Sequence, residues 1–250
     1  MALLNVLLLL LLLGVSVNSD VSLQKRIIGG HDCDDTERLY HVRLRRKKGT
    51  ERFRCGGSLI HSEWILTAAH CWRSEPGWTN IAMLKVHPRT AGKQDQVILH
   101  DPVMYTRHGQ WHDIMLLKLQ TPVTDVPPAQ LPTCNNRLKK DDIVQLAGEG
   151  GTTTGPNNER LTNPPVSTHL QCVDMKVDAV SHFMRTRGHV FHTAAPNKDL
   201  CLGDSGGAVQ YNNMIYGVIC LGGKVPCQKP TTIIDVCEYM DWIKQTTGLK

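Results

Sequence analysis

Apolar residues in this chain come in runs of five to nine, and turn-forming residues close nearly every run. The runs are "GGSLI" (56–60), "WILTAA" (64–69), "IMLLKL" (114–119), "IVQLAG" (143–148), "GAVQY" (207–211), "IYGVICLGG" (215–223) and "TTIIDV" (231–236). They are too short for most helices and are rich in β-branched residues, so they predict strands joined by turns in a largely antiparallel β protein. The C-terminal stretch "VCEYMDWIKQTTG" (236–248) differs. Val236, Tyr239, Met240 and Ile243 recur at three and four, and Gly248 follows, which predicts an amphipathic helix closed by glycine. A Pro-rich connection, "QTPVTDVPPAQLPTC" (120–134), suits a division into two β halves.

Residues 1–19, "MALLNVLLLLLLLGVSVNS", have the pattern of a secretory signal peptide, although no Lys or Arg opens it. The other reading is a membrane anchor, for which the apolar part is short. The cysteines favour export. There are nine, Cys33, Cys55, Cys71, Cys134, Cys172, Cys201, Cys220, Cys227 and Cys237, widely scattered and without a C-x-x-C pair. That argues against a zinc site and for an oxidised, secreted, extracellular domain with one thiol left over.

The net charge is +5, and much of it lies in "VRLRRKKGTERFR" (42–54), with Arg43, Arg45, Arg46, Lys47, Lys48, Arg52 and Arg54. Two readings stand: a solvated hairpin around Gly49, or a polyanion-binding surface for anionic glycans or acidic proteins. One Phe among these residues makes no base-stacking platform, so no nucleic acid is expected.

Four short stretches belong together: "KRIIGG" (25–30), "LTAAHC" (66–71), "HDIMLLKL" (112–119) and "GDSGG" (203–207). In this order, and with the cysteines, the chain resembles the chymotrypsin/trypsin family of serine proteases from Ile27 to its end. The resemblance implies an all-β fold of two packed six-stranded antiparallel β-barrels with a short C-terminal helix. It also implies a catalytic triad of His70, Asp113 and Ser205 acting on polypeptide substrates. A serine hydroxyl is a poor nucleophile near neutrality and needs an adjacent base; an imidazole can take the proton and return it; a buried carboxylate fixes the imidazole tautomer. The N–H groups of Gly203 and Ser205 would form the oxyanion hole, where one donor is worth about 2.7–4 kcal/mol.

The family pattern further implies a zymogen. An activating protease would cut after Arg26 and release a propeptide, 20–26. The freed Ile27 ammonium would then pair with Asp204, a contact that costs about 3–5 kcal/mol to break from one side. The implied bridges are Cys33–Cys172, Cys55–Cys71, Cys134–Cys237 and Cys201–Cys227. Where two further trypsin bridges would fall, the chain has Phe183 with His192 and Val144 with Tyr211. Cys220 is left over, in "CLG" where the family usually has "SWG".

The specificity pocket departs most. Asp199 matches the acidic base of a trypsin pocket and would favour Arg or Lys substrates. Thr231 in "KPTTII" replaces a wall glycine and Leu200 a small polar residue, so the route to Asp199 is expected to narrow and leave its charge poorly hydrated. Gly222 lies on the opposite wall by the same resemblance. Glu149 stands where tryptophan is usual. The stretch matching the trypsin calcium loop (81–96) has only Asp95 as an acid, so no metal is expected, and no cofactor. The competing reading is a protease-fold binding protein acting through the basic hairpin with little turnover.

Overall fold

The computed structural model describes residues 27, 29–150, 167–220 and 229–250. Fourteen strands follow in chain order: β1 (His31–Asp32), β2 (His41–Lys48), β3 (Glu51–His61), β4 (Trp64–Thr67), β5 (Thr79–Leu84), β6 (Gln94–Val97), β7 (Val103–Arg107), β8 (Gln110–Lys118), β9 (Ile143–Gly148), β10 (Gln171–Met184), β11 (Gly188–Ala194), β12 (Ala208–Tyr211), β13 (Met214–Ile219) and β14 (Thr231–Asp235). Each of the seven apolar runs overlaps a strand, with residues 221–223 of one run outside the described residues. Every strand pairing is antiparallel.

The C-terminal half runs β1-β10-β11-β14-β13-β12-β9, and β9 pairs back with β10. Six strands therefore close into a barrel, with β1 added on its outside. The N-terminal half is a seven-stranded sheet in the order β6-β5-β2-β3-β4-β8-β7. Its two edges are not joined by a ladder among the described residues, so this half forms the second sheet. β6 and β7 are short and mostly exposed or half-buried, and offer little apolar surface to close on.

One core packs the N-terminal sheet around Leu59, Ile65, Leu66, Ile114 and Leu116, and continues into Val218, Tyr239 and Ile243 of the other half. A second core fills the barrel with Val144, Leu146, Val173, Phe191, Ile219 and Ile233. The shared first core fixes the two halves against one another. The expected C-terminal helix is a 3-10 turn, Val236–Tyr239, running into α1 (Met240–Thr247). Gly248 closes it at φ 77°, its N–H donating to the Lys244 carbonyl. No helix among the described residues is long and apolar enough to cross a membrane.

Three bridges join Cys33 to Cys172, Cys55 to Cys71 and Cys134 to Cys237. Cys201 is buried, and Cys227 lies outside the described residues. Val144 lies in the second core, and Tyr211 packs against that core. Phe183 does not face His192: its ring meets His189 at 5.3 Å, and His182 stacks on His192 at 5.0 Å. Irregular pairing between β10 and β11 shifts the register there.

Candidate active site

His70 sits in a 3-10 turn, Ala69–Cys71, that the bridge to Cys55 anchors on β3. Asp113 lies in β8, whose following residues Ile114–Leu117 are buried and hold the strand under that turn. The Asp113 carboxylate grips His70 twice. Oδ1 accepts the main-chain N–H of His70 at 2.9 Å, and the ring Nδ1 lies 3.0 Å from Oδ1 and 2.9 Å from Oδ2. With a buried carboxylate as its neighbour, Nδ1 carries the proton and Nε2 keeps its lone pair. Burial pushes the Asp113 carboxyl up, but the hydrogen bonds and charge of His70, with Arg187, outweigh this and hold it below its ordinary value.

Ser205 lies in the turn before β12 and is pinned from both halves. Its carbonyl accepts the Gly56 N–H of β3 at 2.7 Å, and the next residue, Gly206, donates to the Ile219 carbonyl at 2.7 Å. Gly206 has φ 83°, and a Cβ there would run into Thr67 Oγ1 and the Gly56 carbonyl, so no other residue fits. Gly203 takes φ 108°, a backbone conformation that favours glycine. The N–H groups of Asp204, Gly206 and Gly207 donate to main-chain carbonyls. Among the described residues no main-chain carbonyl accepts from Gly203 or Ser205. The Ser205 hydroxyl hydrogen bonds to the Cys220 carbonyl at 3.5 Å.

Asp204 is fully buried; Oδ1 accepts the Gly150 N–H at 2.7 Å and Oδ2 that of Cys201 at 2.8 Å. Ile27 is fully buried in the second core. Gly29 follows it so closely against the neighbouring loop that a Cβ there would meet the Asn197 carbonyl at 2.8 Å. Arg26 lies outside the described residues.

Asp199 is buried, as the expected poor hydration of its charge requires, and it is hydrogen bonded. Its Oδ1 accepts the Leu200 N–H at 2.7 Å and the Thr231 hydroxyl at 3.3 Å. Thr231, on β14, lines with Asp199, Thr193, Ala195, Lys198 and Pro230 a cavity of about 140 Å³. Leu200 is not part of that wall; its side chain turns into the second core, where apolar burial favours it. Gly222 lies outside the described residues.

The basic hairpin is not the uniform cationic surface its sequence suggested. Arg43 is buried, its guanidinium bidentate on Glu149 at 2.6 and 2.5 Å. Arg45 pairs with Asp95 at 2.9 Å. Arg46 donates to the His70 carbonyl at 3.1 Å and covers the Phe53 ring at 5.1 Å. The polyanion reading is left with Lys47, Lys48 and Arg52 as its exposed cations. Cys55, His70 and Cys71 are close enough together to suggest a metal site, but the two sulfurs are bonded to each other and offer no thiolate.

Two partners of the Asp113 carboxylate escaped the sequence reading. Arg187, in the β10–β11 turn, donates through a terminal guanidinium nitrogen to Oδ2, and the Cys220 thiol donates to the same oxygen at 3.3 Å. Burial first, and then Asp113, push the Cys220 thiol well above its ordinary range, so it stays a neutral donor. Cys220 stood out as the odd thiol, whereas nothing local marks Arg187, 74 residues from its partner.

Comparison with known proteins agrees with this geometry. The family model for Trypsin matches residues 27–243. The chain is 33% identical to snake venom serine protease KN13 of Trimeresurus stejnegeri over 270 aligned positions, covering 98% of this chain and 95% of that protein. It is 29% identical to anionic trypsin of Canis lupus familiaris, covering 97% and 98%. Mouse neuropsin, a serine protease, superposes with a TM-score of 0.67 at 24% identity, over 87% of this chain and 98% of its own, a likeness of fold. With the motifs in order and the match running through nearly all of both halves, this chain belongs to the trypsin family of serine proteases.

Proposed function

We propose that this chain is a secreted serine endopeptidase, made as a zymogen and activated by cleavage after Arg26. The observation that carries the reading is the double grip of Asp113 on His70, with Ser205 held by main-chain hydrogen bonds in the turn before β12 and its hydroxyl on the carbonyl of Cys220, whose thiol donates to the same Asp113 carboxylate. In the reaction the Ser205 hydroxyl attacks a peptide carbonyl while His70 Nε2 takes its proton. Asp113 holds the opposite ring nitrogen and steadies the imidazolium. Gly203 and Ser205 N–H groups receive the charge that develops on the carbonyl oxygen. His70 then returns the proton to the leaving amine, and water repeats the sequence on the acyl-enzyme. The three disulfides carry the extracellular part of the reading, because such bridges persist in oxidising compartments. The binding-protein alternative is not favoured, since the hairpin cations it needs are partly spent on Glu149, Asp95 and the His70 carbonyl.

The activation step supplies the test. Asp204 is buried with main-chain donors on both oxygens, in the half that also buries Ile27, so a new ammonium at Ile27 has a carboxylate to meet. Trypsin treatment of the secreted precursor is expected to expose Ile27 as the N-terminus and to raise fluorophosphonate labelling, with the label on the peptide containing Ser205. Equal labelling before and after cleavage would argue against a zymogen, and no labelling in either form against the peptidase.

Substrate preference follows from Asp199 and Thr231. The carboxylate favours Arg or Lys at P1, while the threonine both narrows the approach and occupies one oxygen. Cleavage after Arg is therefore expected but slow. Thr231→Gly opens the space and removes the weaker of the two donors on that oxygen, and should raise cleavage after Arg in a P1-scanned peptide library about tenfold, equivalent to about 1.4 kcal/mol. An unchanged profile would show that Thr231 does not guard the pocket.

A further inference from the structure

The Asp113 carboxylate carries more donors than the pairing with His70 requires. Oδ2 alone receives His70 Nδ1 at 2.9 Å, the Cys220 thiol at 3.3 Å and the Arg187 guanidinium. Arg187 is tied to Asp113 by its backbone as well, because its carbonyl accepts the Asp113 N–H at 2.9 Å. The turn between β10 and β11 therefore brings a fixed cation onto the carboxylate and holds it there. We propose that Arg187 is a positioning residue for the triad: by clasping the outer oxygen of Asp113, it weakens the carboxylate's hold on the protonated form of the Asp113–His70 pair.

The physical argument is one of shared charge. An imidazolium beside a carboxylate is stabilised by the net negative charge it meets. A guanidinium stays charged across the working pH range, and on the same oxygen it cancels part of that charge. The pair then gives up its proton more readily, and the base form persists to lower pH. The half-exposed Arg187 side chain tempers the effect by solvent screening, and the buried Asp113 preserves it.

The other polar groups around the pair do not play this part. Cys220 is a neutral donor. His112, next to Asp113, points Nδ1 at the Tyr239 hydroxyl at 2.8 Å, and burial first, with smaller contributions from neighbouring His189 and Arg107, lowers its affinity for a proton. His189 lies 3.7 Å from Glu238. Arg46 touches the His70 carbonyl, not the carboxylate. Ser205 is neutral. Arg187 alone among the described residues sets a full positive charge on Asp113.

The inference rests on the roles proposed for Asp113 and His70, and its first test does not need turnover. In the secreted chain carrying Ser205→Ala, proton NMR reads the Nδ1–H resonance of His70. Arg187→Gln is expected to move it downfield, because the ring hydrogen bond no longer competes for Oδ2; Arg187→Lys, which keeps the charge, should leave it near its original position. In the active enzyme the acid limb of kcat/KM should rise by about one pH unit in Arg187→Gln, a tenfold change in proton affinity of the pair, and return with Arg187→Lys. Arg187→Met should repeat the glutamine result and replaces it if that variant does not fold. An unmoved resonance in both neutral variants, or a lysine variant that behaves like glutamine, overturns the proposal. A downfield shift in a chain that never turns over substrate supports the proposal and sinks the peptidase reading instead.

Discussion

Ser205→Ala is expected to lower kcat by about 10⁶-fold and Asp113→Asn by about 10⁴-fold, the scale seen in serine proteases that use this triad. Both variants should stay folded. The serine hydroxyl makes one long hydrogen bond, 3.5 Å to the Cys220 carbonyl, so the fold loses little without it. Chemistry loses its nucleophile, leaving only the Gly203 and Ala N–H donors to bind the carbonyl oxygen. Asparagine acts differently. Both oxygens of Asp113 accept: Oδ1 from the His70 N–H, and Oδ2 from the ring, Arg187 and Cys220. An amide NH₂ on the Oδ2 side would face donors with a donor. Turned over, it would face the His70 main-chain N–H. The ring then gains from protonating Nε2 and presenting Nδ1 as an acceptor, which leaves no base for Ser205. Single-turnover kinetics beside thermal melts check both. An asparagine variant with near-normal turnover would remove Asp113 from the triad, and a variant that fails to melt cooperatively would make the loss one of folding.

Much of this site was legible in sequence because its parts are local. "LTAAHC" and "GDSGG" each carry a turn, a neighbouring cysteine and a candidate catalytic side chain within a few residues. The seven strands read from apolar runs are those whose inward and outward faces are both largely covered. β10 was not legible in that way: Val173, Met175 and Val177 point inward between Asp174, Lys176 and Asp178, so polar residues break the run that burial alternates through. β2 was obscured likewise, since "HVRLRRKK" reads as a charged tip while its first half is buried. The contacts that change the chemistry are long-range. Arg187 reaches Asp113 only because β11 folds beside β8, and Arg43 reaches Glu149 across the two halves, 106 residues apart. No periodicity encodes such pairings. Counting charges in 42–54 overestimated the free surface for the same reason.

Glu149→Ala is expected to destabilise the protein by about 3–5 kcal/mol, the cost of leaving a buried charge without its partner. Glu149 and Arg43 are both buried, with the guanidinium bidentate at 2.6 and 2.5 Å; Arg89 adds a contact at 3.0 Å and His41 one at 3.7 Å. Removal of the carboxylate strands Arg43 between the two halves, and it disturbs the segment whose next residue, Gly150, donates to Asp204. Acid should reveal the same cluster. Burial pushes the Glu149 carboxyl up, but hydrogen bonds and charge from His41 and Arg43 win, and lower it from its ordinary 4.5 to about 2. A depressed carboxyl contributes stability that is complete above its unfolded value and lost as pH falls toward the folded one. The window is therefore about pH 4.5 down to about 2, and the gap corresponds to roughly 3 kcal/mol. Guanidinium chloride midpoints taken from pH 7 to pH 2 should fall more steeply for the native chain than for Glu149→Ala across that window. Replacing both partners, Arg43→Met with Glu149→Leu, should recover much of the loss, since an apolar pair leaves no charge to strand. Equal midpoints at neutral pH for the native chain and Glu149→Ala, with parallel slopes into acid, would mean that solvent reaches Arg43 and that this ion pair does not hold the two halves together.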